Sequence, residues 1–243
     1  MWPASSLGLP LSRIELSNFG RAPLGRYTSI VLVGGSYTGL DKAAVEKLRR
    51  WVQDGGTLIT LKNASEWAIK QGIVKEKLLV TANAGWADTT AAAKGKATGS
   101  RRADFVEQEQ EGTRAIAGSI YLADIDITNP IGFGLSSRRL YVFRNGTTFL
   151  RPSRNPYATV AQYTAKPLVS GYVSQANLRQ ISNSAAVVVS KAGAGRVVLF
   201  ADDPNFRHYW HGTSRLFTNA LLLGPLLNLP EGPAAISAEE EAH

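Results

Sequence analysis

The sequence predicts a three-layer α/β domain with a mainly parallel sheet and an antiparallel extension. Residues 27–72 follow the order strand, glycine-rich turn, helix and second strand, which is the order of a β-α-β unit. Both strands of this unit are continuously apolar and rich in β-branched residues, as in strands that are buried on both faces. The later part of the chain holds short strands separated by turn residues, which indicates antiparallel pairing.

The β-α-β unit begins with a strand at residues 30–33. Asp41 can cap the following helix, and Gly55 and Gly56 can end it before a second strand at residues 57–61. The apolar residues of this helix recur at helical spacing, namely Leu40, Ala44, Val45, Leu48, Trp51 and Val52. Because a helix joins the two strands, we expect them to lie parallel in a covered sheet.

Further elements follow from the same patterns. Asn63 can cap a short helix that closes at Gly72. Two more helices are predicted at residues 175–181 and 213–223. Strands are predicted at residues 13–16, 117–126, 140–143, 158–163, 168–172, 185–190 and 196–201, the last two forming a hairpin.

The predicted organisation is one domain with irregular ends. Residues 1–26 form a leading segment and residues 27–225 the α/β domain, with a long irregular excursion at residues 84–113. The acidic residues 226–243 are expected to form a disordered tail.

Composition excludes several classes of function. The chain has 243 residues and no cysteine, which rules out disulfides, thiolate metal sites and a cysteine nucleophile. Its net charge of +8 is scattered apart from residues 94–102, so nucleic-acid binding is the weaker interpretation. No apolar run is long enough to span a membrane, and the N-terminus lacks the pattern of a signal peptide, which fits a chain cut from a longer one.

The glycine-rich turn at residues 34–39 fits neither of two catalytic motifs. A phosphate-binding loop would place a lysine after Gly39, where Leu40 and Asp41 stand. Ser36 matches the first half of a hydrolase nucleophile elbow, but Thr38 occupies the position of its last glycine. We therefore interpret this stretch as a tight β-α turn at the carboxyl end of a central strand, where such folds bind ligands.

Two polar clusters occur near the C-terminus. His208 and His211 could share a metal on a helix, but no Glu or Cys nearby completes a ligand set, so no metal site is predicted. The residues from Asp202 to Asn205 follow a buried strand directly, and either cap the next turn or contact a ligand. A candidate ligand crevice at the strand ends would combine eight residues, namely Gly35, Ser36, Lys62, Asn63, Asp202, Asp203, Asn205 and Arg207.

Several segments together resemble one known family. They are residues 34–40, 51–59, 116–120, 129–134, 167–172 and 195–220. The resemblance covers about residues 10–225, and its most specific part is 195–222. The chain resembles the C-terminal region of large exported bacterial proteins of the zinc carboxypeptidase (carboxypeptidase A-like) family. That resemblance implies a flavodoxin-like or amidotransferase-like fold, similar to class I glutamine amidotransferases, and a periplasmic or secreted location. It also implies an N-terminal peptidase domain as partner and a possible peptide ligand, with zinc only in that missing domain.

The same resemblance provides a test of catalysis. Working amidotransferases of this fold place a Cys after a central strand and H-P-E after a late strand. Here Lys62 stands at the Cys position, and Asp203, Pro204 and Asn205 stand at the H-P-E positions. We therefore expect a non-catalytic accessory domain for domain packing or for recognition of a peptide or cell-wall substrate. The alternative is a sensor that binds a small polar ligand in the crevice, and Lys62 and Asp203 are hypothesised to form an ion pair there.

Overall fold

The structure is a computed structural model that describes residues 10–79, 115–208 and 210–228. The strands are β1 Ser29–Leu32, β2 Thr57–Leu61, β3 Ser119–Ile125, β4 Arg139–Arg144, β5 Thr159–Ser170, β6 Ala185–Ala192 and β7 Gly195–Phe200. The α-helices are α1 Lys42–Gln53, α2 Asn63–Lys70, α3 Gln175–Ile181 and α4 His211–Leu223. The predicted excursion at 84–113, the basic residues 94–102 and most of the predicted tail lie outside the described residues.

The described strands form one seven-stranded sheet in the order β1-β2-β7-β6-β5-β3-β4. The pairs β1–β2 and β2–β7 are parallel, as expected from the β-α-β unit. The four remaining pairs are antiparallel. The α/β fold with a parallel part and an antiparallel extension is therefore confirmed. The antiparallel part is larger than expected, since four of the six strand pairs in the described sheet are antiparallel.

Helices cover both faces of the sheet and give the three layers. On one face α1 and α2 bury Leu48, Val52 and Ala68 against the sheet. On the other face α4 buries Phe217, and α3 buries Ile181. Alternate residues of the central strands supply both cores, as the period of two along a strand requires. None of the helices in the described ranges has the length and apolar character needed to cross a membrane.

Capping and hairpin predictions are confirmed in part. The Asp41 carboxylate accepts a hydrogen bond from the Ala44 amide at 2.7 Å and begins α1. The hairpin forms between β6 and β7. Asn63 is instead the first residue of α2, whose N-cap is Lys62, because the Asn63 side chain is bound to the turn after β1.

Two strand predictions were wrong in detail. Residues 13–15 are irregular and Leu16–Arg21 is a 3-10 helix, where a strand was expected. This leading segment packs Phe19 and Leu24 into the core below α1, so burial of apolar side chains determines its path. The two strands expected within residues 158–172 are one long strand, β5.

The sheet curls back on itself. β4 and β7 lie four strand positions apart, which in a flat sheet would separate them by about 19 Å. Yet an Arg144 side chain from the end of β4 reaches the Asp202 carboxylate, just past β7, at 3.0 Å. The curl therefore brings the end of β4 over the ends of the parallel strands.

Candidate functional site

The candidate site lies where β1, β2 and β7 end. Because these strands are parallel, the loops that follow them meet at one edge of the sheet. Asn63, after β2, links to Gly35, after β1, through two hydrogen bonds. Its Oδ1 accepts from the Gly35 amide at 3.0 Å, and its Nδ2 donates to the Gly35 carbonyl at 2.9 Å. Both the amide and the carbonyl of Gly35 are therefore hydrogen-bonded to Asn63.

Lys62 occupies a strained turn between β2 and α2. Its backbone has φ 55° and ψ −128°, a conformation that L residues rarely adopt. Such strain costs on the order of 1–3 kcal/mol and persists only where the surrounding structure enforces it. The geometry is that of a sharp strand-to-helix elbow, which presents one side chain above the sheet edge.

Neighbouring glycines and one amide hold the Lys62 side chain. A Cβ added to Gly34 would lie 3.4 Å from the Lys62 Cδ, and one added to Gly146 would lie 3.2 Å from its Cε. The Lys62 Nζ donates to the Asn145 Oδ1 at 3.0 Å. The lysine stem is therefore clamped between two loops, and its ammonium group keeps two further N–H donors.

Asp202 lies in a buried polar cluster below this elbow. Its Oδ2 accepts hydrogen bonds from Arg144 Nη1 at 3.0 Å and from the Tyr163 hydroxyl. Arg144 is fully buried and also donates from Nη2 to the Thr148 carbonyl at 2.5 Å. The Arg144 guanidinium lies over the ring of Phe149, 4.9 Å from its centroid, which adds a cation–π contact.

Burial sets the electrostatics of this cluster. Desolvation raises the pKa of Asp202 above its usual value, although the Arg144 charge and the hydrogen bonds oppose the shift. Desolvation also raises the pKa of Tyr163 well above its usual value, and the Asp202 charge adds to this. For Arg144, desolvation is the largest single cause and favours loss of the proton, but the interactions with Asp202, Tyr163 and Tyr121 together outweigh it and the pKa is raised. The guanidinium therefore remains charged, with Asp202 as its counter-ion.

The loop after Asp202 is organised locally. The Asp203 Oδ1 accepts from the Asn205 amide at 3.0 Å, which is the capping role considered for this cluster. Arg207 has a positive φ of 50°, and its guanidinium lies 5.3 Å from the centroid of the neighbouring Phe206 ring. Phe206 in turn stacks on Phe143 of β4 at 4.0 Å between centroids.

The hypothesised Lys62–Asp203 ion pair is not formed. Both residues lie within the described ranges, and no N···O distance of 4.0 Å or less joins the Lys62 amine to the Asp203 carboxylate. The Lys62 amine binds Asn145, and the Asp203 carboxylate turns back onto its own loop. The buried ion pair at this edge joins Asp202 to Arg144 instead. The charge of Lys62 still acts on Asp202, since it opposes the rise in the pKa of that carboxyl that burial causes.

The hydroxyl of Ser36 lies apart from the buried cluster. It is exposed and shares a hydrogen bond with Thr38 at 3.1 Å. Tyr37, between them, is buried and donates to the Val33 carbonyl at 2.5 Å, and burial raises its pKa to about 12. Tyr37 therefore anchors the turn, while no base within the described ranges is hydrogen-bonded to Ser36 to activate it.

Of the predicted crevice, the structure brings Gly35 and Asn63 together, and it places Lys62 and Asp202 in electrostatic range. Sequence reasoning missed Arg144 and Tyr163, the partners of Asp202. The sequence did indicate that Arg144 is buried, because it follows Leu140 and Val142 at the period of two that marks the buried face of β4.

A metal site is not supported by the described side chains. Within the described ranges, no three His, Asp or Glu side chains lie close enough together to hold a metal ion. The side chain of His208 lies outside those ranges, so the spacing of His208 and His211 remains untested.

Comparisons with known proteins return structural similarity only. No family model matches the chain, and no curated protein matches its sequence. A cytoplasmic protein of Salmonella typhimurium is similar with a TM-score of 0.49 and 13% identity, over 89% of this chain and 82% of that one. A putative ThuA-like protein of Parabacteroides merdae has a TM-score of 0.49 and 14% identity, over 91% and 78%. A second cytoplasmic protein of S. typhimurium has a TM-score of 0.48 and 12% identity, over 90% and 83%.

These findings correct the family resemblance. The similar structures include a putative ThuA-like protein, and no match links the chain to zinc carboxypeptidases. The assignment to the carboxypeptidase family was therefore wrong, while the α/β fold rests on the sheet and helices of the chain itself. The expected peptidase partner and export rested on that resemblance alone. At these identities and TM-scores the likenesses carry no argument about function.

Proposed function

We propose that this chain is a non-catalytic, amidotransferase-like domain that serves in domain packing or in recognition of a peptide or cell-wall ligand. The observation that carries the proposal is the elbow after β2, which presents Lys62 in place of a nucleophile. The Lys62 amine donates a hydrogen bond to Asn145, and no described side chain is hydrogen-bonded to it as a base that would activate it as a nucleophile.

The groups around the elbow support the same conclusion. An acyl-transfer site needs unoccupied backbone N–H groups to stabilise an oxyanion, but the Gly35 amide is bound by Asn63. A relay would also need a base beside the nucleophile, but the buried carboxylate of Asp202 is held by Arg144 and Tyr163 through its Oδ2. The Gly35 amide and the Asp202 Oδ2 are therefore already engaged within the crevice.

An exposed apolar segment supports a role in packing. Val169 and Tyr172, at the end of β5, are 51% and 74% exposed, and Leu168 beside them is 38% exposed. Neighbouring exposed apolar side chains of this size often mark surfaces that contact other proteins or domains. The segment Leu168–Tyr172 is therefore the candidate packing surface.

The proposal is tested by assaying the purified chain for hydrolysis of glutamine, simple amides and peptides. We expect no turnover above a protein-free blank. Turnover that disappears in Lys62→Ala but remains in Lys70→Ala, a control at the exposed lysine that ends α2, would refute the proposal.

A second candidate function is a sensor for a small polar ligand. It is favoured by the two free N–H donors of Lys62 and by the exposed hydroxyls of Ser36 and Thr38 at the same edge. A thermal-shift screen of small polar metabolites distinguishes the two proposals. A hit whose stabilising effect is lost in Lys62→Met and kept in Lys70→Met supports the sensor, and the absence of hits removes it.

A further inference from the structure

A small cavity lies beneath the start of α4, next to the buried ion pair. It has a volume of about 20 Å³ and lies between β4, the adjoining ends of β6 and β7, and the N-terminal half of α4. The described residues that line it are all buried, and among them Asp202 and Thr213 carry the polar side chains. About 10–15 Å³ suffices for one water molecule, so the cavity has room for one small occupant.

The Asp202 carboxylate has one oxygen that still needs a donor. Its Oδ2 accepts from Arg144 and Tyr163, whereas its Oδ1 is buried and has no hydrogen-bond partner within the described ranges. Arg144 and Tyr163 do not line the cavity, so Oδ1 is the carboxylate oxygen on the cavity side. Because burying a charged oxygen without a hydrogen bond is costly, a donor at this position is strongly favoured.

Two further acceptors belong to the same wall. The Thr213 hydroxyl donates to the Pro204 carbonyl at 2.7 Å, and both residues line the cavity. The hydroxyl thereby uses its single hydrogen and can only accept another bond, while the carbonyl oxygen has a second lone pair. The polar groups around the cavity are therefore acceptors, and its occupant must be a hydrogen-bond donor.

Charge and coordination decide between water and a cation as that occupant. Arg144, 3.0 Å from the Asp202 Oδ2, already balances the charge of the carboxylate. A hard cation takes about six or more oxygen ligands, and the remaining wall of the cavity is formed by apolar residues such as Leu140 and Val187. A water molecule is neutral, fits the volume and donates two hydrogen bonds, which matches the acceptors on the wall.

We infer that this cavity is a binding site for one ordered water molecule, which donates to the Asp202 Oδ1 and to the Thr213 hydroxyl or the Pro204 carbonyl. Asp202 and Pro204 belong to the loop after β7, and Thr213 belongs to α4, so the water joins that loop to the helix. It also gives the buried carboxylate a partner on its second oxygen. The inference does not rest on the proposed function, because Lys62 and the other residues of the elbow do not line the cavity.

Magnetisation transfer between water and methyl groups tests the inference on the full chain in solution. We expect nuclear Overhauser cross-peaks to water, with the sign of a long-lived bound molecule, from the methyl groups of Val142, Val187 and Leu216, which line the cavity. The methyl groups of Leu58 and Val197, fully buried in the core on the other face of the sheet, should show none. Absence of the cross-peaks from the cavity methyl groups overturns the inference.

A cavity-filling variant separates a bound water from a relay through the Thr213 hydroxyl, which also exchanges with water. Val142→Ile adds one methylene group to the cavity wall and keeps that hydroxyl, so the cross-peaks of Val187 and Leu216 should be lost. They should persist in Val189→Ile, a matched change in the same core but away from the cavity. Cross-peaks that survive Val142→Ile, or that disappear in both variants, overturn the inference.

A crystal structure of the unmodified chain identifies the occupant without any substitution. We expect a single density peak about 2.8 Å from the Asp202 Oδ1, the separation of a hydrogen-bonded oxygen. A peak at about 2.4 Å, the separation of a coordinated cation, would overturn the inference. A cavity that shows no peak would overturn it as well.

Discussion

The ion pair of Arg144 and Asp202 is the most consequential side-chain contact below the candidate site. Both side chains are withdrawn from water, at 0% and 7% exposure. Removing two charges from water costs several kcal/mol each, and their attraction and hydrogen bonds must offset that cost. The pair is therefore weak as a source of net stability, but breaking it leaves one uncompensated charge in the core.

We predict that Asp202→Asn destabilises the chain by about 3–5 kcal/mol, because the Arg144 guanidinium then lies buried without a counter-ion. The free energy of unfolding in urea measures this loss. The adjacent Asp203→Asn is the matched control, since that carboxylate caps only its own loop, and it should cost about 1 kcal/mol or less. Similar losses in the two variants would contradict the role of the buried pair.

Lys62 allows a second test at the residue scale. Its φ of 55° suits glycine, so Lys62→Gly should be more stable than Lys62→Ala by about 1–2 kcal/mol. Both variants lose the bond to Asn145, and their difference isolates the backbone strain.

The order of stabilities reverses at an ordinary helical position. At Lys70, the last residue of α2, alanine should be more stable than glycine by up to about 1 kcal/mol. Denaturant titration of the four variants measures both differences. If alanine is also the more stable residue at position 62, the elbow is not strained.

At the scale of elements, the β6–β7 hairpin docks against the end of α1. The Ala194 amide donates to the Gln53 carbonyl at 2.8 Å, and the Arg196 amide donates to the Gly56 carbonyl at 3.1 Å. This close approach joins the antiparallel extension to the β-α-β unit. It requires a residue without a side chain at position 195.

Gly195→Ala should therefore destabilise the chain by more than about 3 kcal/mol, beyond the usual cost of overpacking. An added Cβ would lie 1.9 Å from the Val52 carbonyl oxygen and 2.4 Å from that of Gly56, and neither backbone atom can move freely. Gly35→Ala, where an added Cβ meets nothing within 4 Å, is the control and should change the thermal midpoint little. A Gly195→Ala chain with an unchanged midpoint would show that the hairpin can shift.

At the scale of the whole molecule, the central strands join two cores. In β6, Val188 faces the core below α1 and Val189 faces the core below α4. In β7, Leu199 faces the core below α1 and Phe200 faces the core below α4. Because neither core can lose these strands without exposing the other, the two faces should unfold together.

Leu48→Ala on one face and Phe217→Ala on the other should each lower the free energy of unfolding by about 2–5 kcal/mol. Each variant should still unfold in a single transition at a lower midpoint, and the midpoints measured by circular dichroism and by tryptophan fluorescence should coincide. Leu222→Ala, at a 52% exposed position of α4, should leave the midpoint nearly unchanged. Separate transitions for the two core variants would show that the faces unfold independently.

Local patterns predicted much of the architecture. The β-α-β unit, the Asp41 cap and the β6–β7 hairpin follow from periodicity and turn residues, which act over a few positions of the chain. Lys62 and Asp202 were also placed correctly at strand ends, because a buried strand followed by a polar residue marks the sheet edge. The leading segment was mistaken for a strand, since its path depends on burying Phe19 and Leu24 against distant residues.

The sequence by itself determined the fold class, the absence of a cysteine nucleophile and the residues at the ends of the parallel strands. Only the tertiary structure decided what those residues contact. Sheet curl brings Arg144 from β4 to Asp202 beyond β7, and this replaces the expected partnership of Lys62 with Asp203. The curl results from the combined twist and bulges of many strand pairs. No local sequence pattern could therefore predict which charged side chains the curl would bring together.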